Sequence, residues 1–252
     1  MRDAAHFLST LQRLDGPCMV ERSVKVTGTQ IADGRLLVSA PRRALLPGAK
    51  RSFQTICDQL GAPGVDALLP YLGMATDVHF GFEAGDDPIH KAYLEFAQDS
   101  PVENVRFLAV KWRGQDVRTN LYFDRTALPN VERAALIADI VPQGIVADKL
   151  GQVVQRVMAA APLHDLPLLL VEEEGTARRS LDLNVADLEW RGQDLGDQLG
   201  PLFPDGDLPA DLRGQQIGHI AAGAARDGRA FATIYYGARG VMAADLPQTA
   251  RL

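Results

Sequence analysis

Residues 90–96, HKAYLEF, put Lys91, Tyr93 and Glu95 at alternate positions, with Ala92, Leu94 and Phe96 on the other parity. Successive side chains of an extended chain point to opposite sides, so one face here is apolar and the other carries a cation, a phenol and a carboxylate. The same period recurs along the chain. Its polar faces together gather Glu21, Lys25, Lys91, Tyr93, Glu95, Lys111, Arg118, Asn120, Tyr122, Asp182, Asn184, His219 and Tyr235. Cations set beside tyrosines suit a particular chemistry. Lys and Arg from neighbouring strands can clamp an anion such as a diphosphate, Arg through two parallel bonds and Lys as a point charge. The bound anion then offsets the repulsion among the gathered cations. Tyrosine faces can stabilise an electron-poor carbon and keep water from it. A sheet with one solvated face shows the same alternation, so the period alone weighs an enclosed chamber and a solvated face equally.

Such a set needs neighbouring strands to hold it. Five segments read as strand, turn, strand: CMVERSVKV with GRLLVSA across a loop containing Asp33-Gly34, DVHFGFE with HKAYLEF, VRFLAVKW with VRTNLYF, LPLLLVEEE with RRSLDLNV, and IGHIAAGAA with RAFATIYYG. Gly, Asp and Pro concentrate in the connections, as hairpins require. Helical patterns separate the hairpins: LPGAKRSFQTICDQLG, a shorter apolar helix GVDALLPYLG, NVERAALIADIV with Asn130 as its cap, and GIVADKLGQVVQRVMAAA. Gly- and Pro-rich residues 193–216 read as short helices and loops. The fold class is therefore α+β, and ten antiparallel strands in five helix-flanked hairpins can remove their open edges by closing into a barrel. Closure would turn the apolar faces outward under the helices and the polar faces into a lumen. No linker or low-complexity segment divides residues 1–252, which read as a single domain.

Composition narrows the function. A chain of 252 residues that is 46% hydrophobic can bury one substantial core, and its net charge of −6 argues against nucleic acid or an anionic membrane surface as a partner. Cys18 and Cys57 stand far apart in no metal-ligand spacing and read as reduced structural thiols. The N-terminal MRDAAHFLSTLQRL reads as an amphipathic helix capped by Asp3, and the apolar run LPLLLV is far too short to cross a bilayer. A cytoplasmic protein is expected. No Gly-x-Ser-x-Gly elbow, zinc-ligand pair or phosphate loop occurs, and Asp86-Asp87 precede Pro88 as turn residues. His219 reads as a hydrogen-bonded structural residue; Glu172, Glu173 and Glu174 close a strand at a turn.

Four local patterns then fall in the right hairpins. The first hairpin carries ERS, Glu21 to Ser23, followed by GRLLVS with Arg35; the second carries KAYLEF; the third carries RTNLYF, with Arg118, Asn120 and Tyr122; and HIAAGAARDGRAFATIYYG closes the series at Tyr235. From residue 18 to about 240 this order resembles the aromatic prenyltransferases of the αββα barrel fold, of the indole or dimethylallyltryptophan synthase type. The resemblance implies that Arg35, Lys91, Arg118, Asn120 and Lys111 bind the diphosphate of an allylic donor, and that Tyr93, Tyr122 and Tyr235 shield the allyl cation. It implies that Glu21 accepts the N–H of an indole acceptor. The donor would be a co-substrate, with no further cofactor and no metal, and the acceptor an indole, another aromatic or a peptide. Asn120 stands where the family has a second lysine, and Asp182 and Asn184 where it has Gln and Tyr. These departures keep open a barrel that binds a small anion without prenylating, and an open-sheet structural protein.

Overall fold

The computed structural model describes residues 2–46, 48–97, 103–160 and 166–251. Its strands are β1 (Pro17–Thr27), β2 (Gln30–Pro41), β3 (Asp77–Glu83), β4 (Ile89–Glu95), β5 (Val105–Arg113), β6 (Asp116–Asp124), β7 (Leu168–Glu173), β8 (Arg179–Asn184), β9 (Ile217–Ala224) and β10 (Ala230–Met242). Each lies beside its neighbours in sequence, and β10 returns to β1, so the sheet closes into a ten-stranded barrel. Closure leaves no edge with unpaired backbone groups. The open-sheet alternative is thereby removed.

Packing divides the chain into two compact units, one of Met1–Arg22, Gly34–Leu121 and Ala238–Leu252, the other of Ser23–Asp33 and Tyr122–Gly237. In the first, α1 (Arg2–Leu11) and α2 (Ala49–Gln59) cover the apolar face. Phe7 of α1 stacks on Phe82 of β3 with ring centroids 5.4 Å apart, and Phe53 of α2 meets Phe80 at 5.7 Å. Burying each such ring contributes about 2–3 kcal/mol. Trp112 of β5 belongs to this layer as well and donates its indole N–H to the Leu60 carbonyl at 3.1 Å.

In the second unit the covering helices are α3 (Asn130–Ile140) and α4 (Ile145–Ala160), with the short α5 (Gly196–Leu199) and α6 (Ala210–Arg213) further along. Val146, Leu150, Val153, Val154 and Val157 recur three and four apart on α4, which puts them on one face. That face packs with Leu181, Leu183, Ile220 and Ile234 from β8, β9 and β10 in one core cluster. In both units the apolar side of each strand is thus the helix-covered side.

Several local expectations change. Asp33-Gly34 lies inside β2, because the chain reverses earlier, at Gly28 with φ of +58°. Gly34 serves close approach instead, since a Cβ there would stand 2.7 Å from that of Ala84. GVDALLPYLG forms successive turns ending in a single 3-10 turn at Leu72–Met74, not a helix. Pro70 lacks the N–H and clashes with the carbonyl four residues back. Asn130 is the first residue of α3, and extended Pro129 is its cap. The Asp3 side chain lies outside the described residues, as does Pro47.

Candidate functional site

Register decides which side chains meet on the face away from the helices. In the first unit Arg35 of β2 lies directly opposite Glu83 of β3, and Gly81 lies opposite Lys91 of β4, which in turn lies opposite Lys111 of β5. Gly81 offers no side chain, so the Lys91 stem crosses the space a Cβ would fill, passing 3.3 Å from it, and its amine reaches Glu83. Glu83 joins the two cations: Oε2 is 2.5 Å from Arg35 Nη1 and Oε1 is 2.5 Å from Lys91 Nζ. All three are largely enclosed, with side chains 7%, 15% and 15% exposed for Arg35, Glu83 and Lys91. Burial pushes the Glu83 carboxyl up, but the charges of Lys91, Arg35 and Lys111 outweigh it and hold the group well below the usual carboxylate range. It is an anion sharing its site with three cations.

A second group lies further along the same strands. His79 faces Ser39 on β2 and Tyr93 on β4 in register. Its Nε2 is 3.0 Å from Glu95 Oε2, its Nδ1 is 2.7 Å from the Ser39 hydroxyl, and Arg106 donates to Glu95 Oε1 at 2.7 Å. An ionised carboxylate only accepts, so Nε2 donates its N–H to Glu95, while Nδ1 bonds the Ser39 hydroxyl. Burial raises the Glu95 carboxyl, while the His79 hydrogen bond and charge, with Arg106, hold it below the usual value. Tyr93 sets its ring edge-on to His79, centroids 6.2 Å apart.

In the second unit a histidine again lies opposite a tyrosine, His219 of β9 against Tyr235 of β10. The rings stack in parallel with centroids 4.0 Å apart, and His219 Nδ1 donates to both Asp182 oxygens, at 2.9 and 3.1 Å. Tyr235 therefore has one aromatic face taken by imidazole. Nearby on the sheet, Lys25 Nζ sits 4.2 Å above the Phe231 ring, and buried Glu173 accepts from Arg178 and Arg226.

The remaining residues singled out by sequence fall as follows. Glu21 and Asn120 are buried in the first unit, at 7% and 6% exposure. Arg118 is half-exposed and pairs with Asp116 at 2.9 Å. Tyr122 is half-buried in the second unit, and Asn184 turns its Oδ1 back to the Ala186 N–H at 3.0 Å. Alternation puts Glu83 on the polar face with His79, but sequence reasoning did not count it among the site residues, and the signal that could have done so is Gly81: a glycine in mid-strand opposite a lysine marks a place where that lysine can pass close. Among the described residues no three His, Cys, Asp or Glu side chains converge as metal ligands would, and no helix is long and apolar enough to cross a membrane.

No family model matches the chain, and no curated protein does. Solved structures do match in fold. The 5-dimethylallyltryptophan synthase of Streptomyces coelicolor aligns at a TM-score of 0.57 and 17% identity, over 86% of this chain and 80% of its own. The prenyltransferase PriB, in a ternary complex with L-tryptophan and dimethylallyl thiolodiphosphate, aligns at 0.58 and 14% identity, over 90% of this chain and 80% of its own. AnaPT from Neosartorya fischeri aligns at 0.53 and 15% identity, over 88% and 79%. At these identities what is shared is the fold, the ten-stranded αββα barrel.

Proposed function

We propose that this protein is an aromatic prenyltransferase that moves a dimethylallyl or longer prenyl group from an allylic diphosphate to an indole, another aromatic or a peptide acceptor. The observation that carries the reading is the meeting of Arg35 and Lys91, with Lys111 beside them, on the enclosed face of a barrel strand set. The fold likeness gives it a precedent in a barrel solved with L-tryptophan and a thiolo analogue of the donor.

On this reading Arg35, Lys91 and Lys111 bind the diphosphate and stabilise the negative charge that grows on it as the carbon–oxygen bond breaks. Asn120 adds a neutral hydrogen bond where a further cation is missing. Arg118, exposed and paired with Asp116, plays a lesser part than the sequence alone suggested. The Tyr93 face stabilises the allyl cation. Glu21 accepts the acceptor's N–H and raises the nucleophilicity of its ring, which then attacks the cation. The leaving group's charge is met by side chains, with no metal required.

Calorimetric titration of dimethylallyl diphosphate and its thiolo analogue tests the donor site. Wild type should bind both, and Lys91→Ala should weaken binding tenfold or more, the ~1.4 kcal/mol expected of one charge-assisted contact. Arg118→Ala should change it less. A wild type that binds neither compound sinks the reading. A second reading, a barrel that binds a small anion without prenylating, is favoured by Glu83, whose single charge is already shared between two of the cations. Donor binding with no product from any indole, tyrosine or peptide acceptor would decide for it.

A further inference from the structure

Each Glu83 oxygen serves a different cation, Oε2 on Arg35 and Oε1 on Lys91. Two oxygens bridging two cations is also how one phosphoryl group would be held there. Lys91 and Lys111 are directly opposed across β4 and β5, a destabilising arrangement unless an anion stands with them. Glu83 supplies that anion when nothing is bound. We infer that Glu83 is a resident counter-anion that fills the phosphate subsite of the ligand-free protein, and that a diphosphate enters by taking its place between Arg35 and Lys91. The inference rests on the proposed donor site and adds the residue that sets its affinity and its selectivity.

The consequence follows from a thermodynamic cycle. Glu83→Gln takes from Arg35 and Lys91 the charge that bridges them inside an enclosed site, so the protein loses stability. In the bound protein the diphosphate does that work, and little is lost. Binding must therefore tighten by the difference. A Glu83 that stayed in place and only oriented the two cations would give the opposite sign, because its removal would disorder the site. Displacing a carboxylate also demands an anion of more than one charge, so wild type should prefer diphosphate over monovalent anions, and the variant should lose much of that preference.

Inorganic diphosphate, orthophosphate and acetate titrated calorimetrically into wild type and Glu83→Gln supply the test. Expected are at least tenfold tighter diphosphate binding by Glu83→Gln, a larger thermal shift on adding diphosphate to it, and a narrower gap between diphosphate and the two weaker anions. Equal or weaker diphosphate binding by the variant overturns the inference and leaves the donor site standing. Absence of diphosphate binding by both proteins overturns the donor site and the inference together. Should Glu83→Gln fail to fold, Glu83→Asp retains the charge but is too short to reach both cations. It should show tightening in the same direction, and binding no tighter than wild type would count against the inference.

Discussion

Glu95 shows what a half-buried carboxylate does for the stability of this molecule. Its carboxyl is raised by burial and lowered by more through His79 and Arg106, so its folded pKa lies below the unfolded value of about 4.3. The sign is then fixed: the unfolded chain takes up the proton first as pH drops, so the contribution is fully present above pH ~4.3 and is lost as pH falls through the folded value. Glu83, lowered in the same sense, acts in the same window. Glu95→Gln removes the charge facing Arg106 and weakens the acceptor for His79. At pH 7 it should cost about 1–3 kcal/mol, and its stability should fall less steeply in acid than that of wild type. Urea denaturation from neutral pH down to about pH 3 measures both. An acid limb as steep in Glu95→Gln as in wild type would show that Glu95 gains nothing from its partners.

At the scale of elements, glycines separate space from conformation. A Cβ on Gly223 of β9 would stand 2.6 Å from the Ser180 Cβ and 2.7 Å from the Arg179 carbonyl, and strand backbone has no room to yield. Gly223→Ala should lose about 1–3 kcal/mol by overpacking, lowering the melting midpoint by about 2–4 °C per kcal/mol in a chain of this size. Gly151 in α4 has nothing within 4 Å of such a Cβ, so Gly151→Ala should instead gain about 0.5–1 kcal/mol of helix propensity. Thermal melts of the two variants should move in opposite directions, and a neutral Gly223→Ala would refute the close approach of β8 and β9. The same residues show why some of the fold could be read in advance. Alternation alone puts Val78, Phe80 and Phe82 on one face and His79 and Glu83 on the other, because the pleat fixes that geometry locally. It could not say that Arg35 would face Glu83, since β2 and β3 are joined through α2 rather than by a tight turn, and no local signal fixes the register of such a pair. The cations Arg35, Lys91 and Lys111 were legible as types. The pairing of Glu83 with two of them was not, because a glutamate at a strand end reads as solvated until its neighbours are known.

At the scale of the whole molecule, 32 acidic against 26 basic residues leave a net charge of −6, so the overall field repels a diphosphate. Attraction must come from the few cations enclosed with Glu83, which counter-ions in solution screen less than surface charges. With Glu83 displaced as inferred above, Arg35, Lys91 and Lys111 present about three positive charges, which match an uncomplexed diphosphate better than a magnesium complex with part of its charge already neutralised. Prenyl transfer should therefore persist in EDTA, and excess magnesium should slow it by withdrawing free donor. Initial rates of product formation with dimethylallyl diphosphate and an indole acceptor, across EDTA and magnesium series, decide the point. Transfer abolished by EDTA and restored by magnesium would mean that the enclosed cations are too few to stabilise the leaving group. Asn120, standing where the resembled family has lysine, would then be the first residue to replace with a cation.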